Sequence, residues 1–275
     1  EVEEAGTEMS SGGRCAALFR LNPMYALYLL LTVENDSVHW ALKDREENSL
    51  TSGSSEGNQE VLDVLEAKIE SIRQRYPNLK GIVIGAAGMV SGGKILLSGG
   101  ECQLVGMDLQ DYFSERFGLP VRVINDMNAV AAGRWSADGQ KESCCVCIYQ
   151  GKNGMGAGVV VHGKLWQGAS DFAGELSFLP DMPGKLRPQD KDFAPSRMLE
   201  AYRKIIQIYA SVLNPQRIIL YRNPFLEGVL EELYQECEKV IPAHSMPLLV
   251  ISDDYEKDYE KGLMVIAGSL QRYDK

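Results

Sequence analysis

The chain has 275 residues, of which 45% are hydrophobic and 24% charged, a composition typical of globular proteins. A chain of this length can bury a full core, which excludes a mainly disordered chain or a small disulfide scaffold. No apolar run approaches the ~20 residues that span a bilayer, so we expect no membrane partner. The net charge of -10 repels phosphate backbones, so the chain is a poor candidate for binding DNA or RNA by itself.

Three of the six cysteines, Cys144, Cys145 and Cys147, crowd one strand-like segment. Neighbouring residues of a strand point to opposite faces, so adjacent thiols diverge. With only three histidines in the chain, we find no pattern for a closed zinc site, which needs thiols or imidazoles converging from two segments. We therefore expect reduced core thiols in a cytoplasmic protein, and no zinc.

The first half of the chain begins with a mixed stretch that predicts a linker or arm over residues 1–23. Two strand-like runs, 25–33 and 38–42, flank a polar turn and predict a hairpin, and a Ser/Gly-rich loop is expected over 48–57. Apolar residues at helical spacing predict a helix over 58–76. Further strands at 81–85 and 121–124 alternate with helices at 108–117 and 127–135.

The second half repeats this order. Strands are expected at 143–149 and 156–161, and a proline-rich surface loop at 180–195. A helix at 196–213 precedes a strand at 217–220, and helices at 226–240 and 256–270 flank a strand at 247–251. The alternation of strands and helices is typical of an α/β fold, and the repeated order indicates two related lobes.

Asp126 is the first candidate for chemistry, because it follows a strand at the carboxyl end where open α/β sheets place ligands. Its carboxylate could accept a proton from a hydroxyl nucleophile, and Asn125 could hydrogen-bond to sugar hydroxyls. The alternative is that Asp126 only caps the following helix, and spacing alone favours the cap.

Two further features allow a functional and a structural interpretation. Glu175 lies between small and apolar neighbours and could bind a polar ligand in a cleft, although an ordinary surface glutamate is the simpler reading. The glycines Gly154, Gly156 and Gly158 could hold a phosphate with backbone amides. A strand and a turn follow them, where dinucleotide binding requires a helix, so a tight hairpin is the competing explanation.

Taken in order, several segments resemble the ROK family, named for repressors, open reading frames and kinases. The most specific stretch, NDMNAVAAG at 125–133, follows GIVIGAAG at 81–88 and precedes GMGAG at 154–158, AGEL at 173–176 and NPQRIIL at 214–220. The resemblance implies an actin-like, sugar-kinase-like (ribonuclease H-like) α/β fold of two lobes. It implies a first lobe at 24–133 plus 262–275, a second at 134–261, and a ligand held by Gly88, Asn125, Asp126 and Glu175.

The start of the chain resembles the repressor branch of the family. Gly6 and SSGGR at 10–14 are similar to the linker between a winged helix-turn-helix and the sugar-kinase-like body. This implies a regulator that binds DNA through an N-terminal domain absent from this chain. The effector would be a sugar or sugar phosphate, and the body would form a homodimer.

Several positions depart from the kinase pattern of the family. The hairpin reads LTVENDS at 31–37, without the glycines of the Asp-x-Gly-Gly-Thr phosphate motif, and Glu34 and Asp36 would repel phosphates. YRN at 221–223 replaces a glycine pair on the adenosine side. Phe178 stands where the zinc-binding histidine is usual, and PGKLR at 183–187 replaces the cysteines.

These departures favour a catalytically inactive, sugar-sensing regulator domain without a cofactor. The alternative is an ATP-dependent sugar kinase of the same family, which would use magnesium and Asp126 as the base. The third possibility is a dimerisation module that binds no ligand.

Overall fold

A computed structural model describes residues 2–8, 16–57, 60–98, 102–139, 143–151, 154–180, 195–223, 226 and 229–270. The chain begins with two antiparallel strands, β1 (Val2–Glu8) and β2 (Ala16–Leu21), in the stretch predicted as a linker or arm. The apolar side chain of Phe19 on this hairpin is 66% exposed.

The first five-stranded sheet has the strand order β5-β4-β3-β6-β9. Its strands β3, β4 and β5 are antiparallel neighbours, and β6 and β9 continue the sheet in parallel to β3. The elements of this part, in chain order, are β3 (Leu27–Glu34), β4 (Ser37–Lys43), β5 (Ser49–Ser55), α1 (Val61–Arg75), β6 (Leu79–Ala86), β7 (Met89–Ser91), β8 (Lys94–Leu97), α2 (Leu109–Phe117), β9 (Val121–Asn125) and α3 (Asp126–Ala137).

The second sheet repeats the topology of the first. Its order is β12-β11-β10-β13-β14, with β10, β11 and β12 antiparallel neighbours and β13 and β14 parallel to β10. Its elements are β10 (Cys144–Gly151), β11 (Gly154–Val161), β12 (Lys164–Leu165), α4 (Pro195–Val212), β13 (Arg217–Tyr221), α5 (Leu230–Glu238), β14 (Leu248–Ser252) and α6 (Tyr255–Leu270). The prediction of two related α/β lobes is therefore confirmed.

Three hydrophobic cores hold these layers together. One lies between the first sheet and helices α1 and α2, and another between the second sheet and helices α4 and α5. The central core contains α3 and α6 and takes side chains from both sheets, including Leu30 and Val83 from the first and Cys147 and Ile219 from the second. The two central helices therefore connect the lobes.

The central helices cross at very short distance because each contributes a glycine to the crossing. A Cβ atom on Gly133 of α3 would lie 1.8 Å from the carbonyl oxygen of Asp258. A Cβ atom on Gly262 of α6 would lie 1.8 Å from the carbonyl oxygen of Ala129. No side chain larger than hydrogen fits at either position without moving one helix.

One of the expected elements is wrong, and other expectations are not tested by the structure. The expected loop over 48–57 is wrong, because β5 pairs there with β4 as an exposed edge strand, where serine and threonine side chains face water. Residues 181–194, which are nearly all of the expected loop at 180–195, lie outside the described residues. The predicted lobe boundaries stay a prediction, and the one at 261–262 falls inside α6.

Among the described residues, no helix is long and apolar enough to cross a membrane.

Replacing Gly262 by alanine should destabilise the protein by about 3 kcal/mol or more, because the added methyl group must separate α3 from α6. Urea unfolding followed by circular dichroism measures the effect. Gly268→Ala is the matched control, since this exposed glycine of the same helix has no atom within 4 Å of an added Cβ. The control should be neutral or up to about 1 kcal/mol more stable, because alanine favours helix. Equal effects of the two substitutions would contradict the role of the crossing.

Candidate functional site

The carboxyl end of β9 carries two polar residues, Asn125 and Asp126. Asn125 is the N-cap of α3, and its side-chain oxygen accepts a hydrogen bond from the backbone N–H of Asn128 at 2.9 Å. The interpretation of Asp126 as the cap is therefore wrong. Asp126 is the first helical residue, and its Oδ1 accepts the N–H of Met127 at 2.8 Å. Because the side chain of Asn125 caps the helix and Oδ1 of Asp126 binds Met127, Oδ2 of Asp126 is available for other contacts.

Gly88 forms the adjacent wall of the same site. Its carbonyl accepts a hydrogen bond from Nδ2 of Asn125 at 2.8 Å, which ties the turn after β6 to the end of β9. Gly88 has a φ of 116°, and an added Cβ atom would lie 2.3 Å from the carbonyl oxygen of Leu97. Only glycine satisfies both requirements at this position.

Glu175 reaches the site from the second lobe. It precedes a short 3-10 turn, Leu176–Phe178, in which Leu176 is buried. The carbonyl of Gly174 accepts the N–H of Ala157 at 3.0 Å, so the turn is fixed to β11. The carboxylate of Glu175 is thus held opposite the end of β9 by regular backbone contacts.

These residues line one cavity of about 510 Å³ between the two lobes. Gly88, Asn125, Asp126 and Glu175, which the family resemblance implies as ligand contacts, all belong to its wall. The glycines Gly154, Gly156 and Gly158 do not all belong to this wall. Gly154 and Gly156 line the cavity, whereas an added Cβ atom on Gly158 would lie 2.0 Å from the carbonyl oxygen of Met127 in α3. Gly158 therefore serves the packing of β11 on α3.

Burial raises the pKa of Asp126 from 3.8 to about 7. The N–H of Met127 opposes this shift, and the carboxylates of Glu175 and Glu34 add to it. The hydroxyl of Tyr255, at the start of α6, donates to Oδ2 of Asp126 at 3.5 Å. Burial also raises the pKa of Glu175. Both acids are therefore more readily protonated than in water.

Acidic side chains dominate the charge of the cleft. Glu34, Asp126, Glu175 and Glu256 line the main cavity, and no lysine or arginine is found in the part of its wall that the structure describes. A neighbouring cavity of about 460 Å³ shares Glu34, Asp126 and Glu256 and adds only His39 as a basic group within the described ranges. Carboxylates repel polyphosphates, which are usually bound by cationic side chains or backbone amides.

Sequence reasoning missed the residues that α6 brings to this cleft. Tyr255 stacks on Tyr149 with ring centroids 4.1 Å apart, and Glu256 follows it in the cavity wall. Phe172, another omission, contacts Phe178 edge to face. Tyr255 is 129 residues away from Asp126 in the chain. No local pattern marks such a partner.

A buried polar network lies behind the cleft, between the central helices and the second sheet. The hydroxyl of Tyr221 donates to Oδ2 of Asp258 at 2.6 Å, and the guanidinium of Arg134 lies 3.7 Å from the same oxygen. Asp138, the C-cap of α3, accepts hydrogen bonds from both Arg134 and Arg217 at 3.1 Å. The network joins α3, α6 and β13, so it couples their positions.

No group of three metal-ligating side chains is found among the described residues. The stretch 183–187, which the family resemblance aligns with zinc-binding cysteines, lies outside them. Cys144, Cys145 and Cys147 are buried in β10, and burial raises the pKa of the Cys145 thiol to about 12. A neutral, buried thiol is a poor metal ligand.

The ROK family profile matches residues 35–181, more than half of the chain, and this range includes Gly88, Asn125, Asp126 and Glu175 of the cleft. The chain belongs to the ROK family. The two sheets of the same topology with a cleft between them agree with the actin-like, sugar-kinase-like fold expected for a ROK protein.

Curated relatives of this ROK chain include xylose repressors. One from Bacillus spizizenii is 26% identical over 186 residues, which is 65% of this chain and 48% of the repressor. One from Caldicellulosiruptor bescii is 27% identical over 186 residues, 64% of this chain and 46% of that protein. The match thus spans about half the length of these relatives.

Solved structures of both regulators and kinases share the fold. A ROK transcriptional regulator, homologous to the E. coli MLC protein, superposes with a TM-score of 0.72 at 18% identity, over 94% of this chain and 81% of the regulator. A ROK glucokinase from Streptomyces griseus, in complex with glucose and AMPPNP, superposes with a TM-score of 0.64 at 15% identity, over 88% of this chain and 99% of the kinase. At these identities the likeness establishes the fold alone.

The raised pKa of Asp126 predicts a pH-dependent stability. The folded carboxyl, with a pKa of about 7 against 3.8 in the unfolded chain, binds a proton more tightly, so its contribution is full at low pH and is lost as pH rises toward 7. At roughly 1.4 kcal/mol per pKa unit, Asp126→Asn should therefore raise the free energy of unfolding at pH 8 by about 4 kcal/mol and change it little at pH 4. Urea unfolding at both pH values tests this, with Glu115→Gln, an exposed residue of α2, as control. A substitution effect that is the same at both pH values would contradict the assignment.

Purified protein should hold no stoichiometric zinc, since the described residues offer no converging ligands. Elemental analysis after dialysis measures the metal content. About one zinc per chain, bound through thiolates or imidazoles, would contradict this expectation.

Proposed function

We propose that this chain is the sugar-sensing body of a ROK transcriptional regulator and that it carries out no phosphoryl transfer. The observation that carries the proposal is the cleft itself. It presents Asn125, Asp126 and Glu175 to a ligand from two lobes, while Glu34 and Glu256 add two more carboxylates to the wall, which would repel phosphates. The similarity to xylose repressors supports the regulator reading.

The polar groups of the cleft suit the hydroxyls of a sugar. Carboxylates accept hydrogen bonds from hydroxyls, and the amide of Asn125 can both donate and accept. A sugar phosphate carries the same sign of charge as Glu34, Asp126, Glu175 and Glu256, and no described lining residue offers a lysine or arginine to offset it. We therefore favour an uncharged sugar over a sugar phosphate as the effector.

The mechanism we propose is closure of the lobes around the sugar. In this proposal the ligand contacts the end of β9 in one lobe and the turn around Glu175 in the other, so an open cleft loses part of these contacts. A ligand shifts an equilibrium by its difference in affinity for the two states. In the full regulator, which we propose to be a cytoplasmic homodimer, closure would reposition an N-terminal DNA-binding domain of each subunit.

One observation favours the ROK sugar kinase as a second candidate. Asp126 lies at a strand end in the cleft, and its pKa of about 7 is that of an effective general base. A base alone does not transfer phosphate, however. The described wall of the cleft offers four carboxylates and no lysine or arginine to the phosphates of ATP, and catalysis of this transfer depends on stabilising their charge.

Sugar binding is testable by calorimetry with a panel of xylose, glucose, mannose and N-acetylglucosamine. Asp126→Ala and Glu175→Ala should each weaken the sugar that binds by about tenfold to a hundredfold, because a hydroxyl loses its buried partner. Glu115→Gln serves as the control and should bind like the wild type. A sugar that binds with unchanged affinity to both cleft variants would place the ligand elsewhere.

Kinase activity should be absent when the same sugars are incubated with ATP and magnesium in a coupled assay. The expected result follows from the repulsion between the phosphates and the carboxylates of Glu34 and Glu256. Turnover that Asp126→Asn abolishes would falsify the regulator proposal and establish the kinase.

A further inference from the structure

Exposed aromatic rings are concentrated in one short segment of the second lobe. Trp166, Phe172 and Phe178 are 54%, 40% and 56% exposed. A single exposed apolar side chain is normal in a soluble protein. Here, two of the rings contact each other, and one of them belongs to the cavity wall, so the segment presents an aromatic surface at the mouth of the cleft.

The ring of Phe178 contacts a second aromatic ring of the same segment. It packs edge to face against Phe172, with centroids 5.0 Å apart and an interplanar angle of 61°. Its backbone N–H donates to the carbonyl of Glu175 at 3.2 Å, in the turn that Gly174 fastens to β11. The aromatic ring and the carboxylate of Glu175 are therefore positioned by the same turn.

The opposite lobe completes this mouth. Leu97 of β8 lines the cavity with its side chain half-exposed. The N–H of Gly92, in the turn between β7 and β8, donates to Oδ2 of Asp171 at 3.3 Å, next to Phe172. The mouth is thus apolar on both sides and bridged by a hydrogen bond, whereas the acids Asp126 and Glu175 lie in the cavity wall between the lobes.

This arrangement matches the two kinds of surface of a sugar ring. The hydroxyl edge of a pyranose needs acceptors such as the carboxylates, and its C–H face is attracted by the electron-rich face of an aromatic ring. A volume of about 510 Å³ is in the range that drug-sized ligands fill, and a monosaccharide is smaller than such ligands.

We infer that Phe178, supported by Phe172, forms a second sugar subsite, and that the effector is an oligosaccharide of at least two units. The first unit binds to Asn125, Asp126 and Glu175, and the next one stacks on Phe178 as the chain leaves the cleft. This inference rests on the proposed sugar-binding function and names the class of its ligand.

Calorimetry with matched pairs tests the inference: xylose against xylobiose, glucose against cellobiose and maltose, and N-acetylglucosamine against its β-1,4-linked dimer. For the sugar that binds, a disaccharide should bind about tenfold more tightly than its monomer. Phe178→Ala should weaken the disaccharide more than the monosaccharide, and Phe178→Tyr should restore the difference. Phe172→Ala, outside the cavity wall, should reduce the disaccharide preference, and Phe19→Ala, an exposed phenylalanine of β2, should leave it unchanged.

The outcomes separate this inference from the proposed function. If monosaccharides bind and no disaccharide binds more tightly, the second subsite is wrong and the sugar site stands. If no sugar of either kind binds, both proposals are wrong. A concentration-dependent rise in mass that Phe178→Ala abolishes would assign the rings to a protein contact and would overturn the subsite.

Discussion

The close crossing of α3 and α6 is the constraint on which the cleft depends. Gly133 and Gly262 let the two backbones approach to a distance that no side chain would permit. Because both helices begin at the cleft, the crossing brings their first residues together, and Tyr255 of α6 reaches Asp126 of α3. The two sheets pack on opposite sides of this helix pair, so the pair determines how the lobes are placed relative to each other. Any closure of the cleft must turn about these helices or their ends.

The electrostatics of the cleft follow from this geometry. Four carboxylates share one partly buried space, and burial raises the pKa of Asp126 to about 7 and also raises the pKa of Glu175 and Glu256. Such a site loses stability as these groups ionise, unless a ligand supplies hydrogen-bond donors. Sugar hydroxyls are donors of this kind, whereas phosphates would add to the negative charge. This charge distribution is the basis of our proposal that the cleft recognises a sugar and transfers no phosphate.

The sequence was informative where local patterns decide the structure. The alternating strands and helices, the hairpin at residues 25–42 and the helix after Asn125 follow from periodicity and turn residues, and the ordered motifs indicated the family. Local patterns failed for β5, whose polar residues become a strand only through pairing with β4. They also assigned the cap to Asp126, although Asn125 takes it. Tyr149, Tyr255 and Glu256 were missed because the cleft is assembled from segments that are distant in the chain.

Hydrogen–deuterium exchange read out by mass spectrometry tests the central claim most directly, because it reports both sides of the cleft at once. Xylose, glucose, N-acetylglucosamine and their dimers would be compared with ATP and magnesium. Our account predicts that at least one sugar slows exchange together in residues 86–98 of the first lobe and 172–179 of the second. It predicts that ATP with magnesium slows neither segment. Protection by the nucleotide in the β3–β4 turn and at the end of β10, without protection by any sugar, would contradict a sugar-sensing cleft.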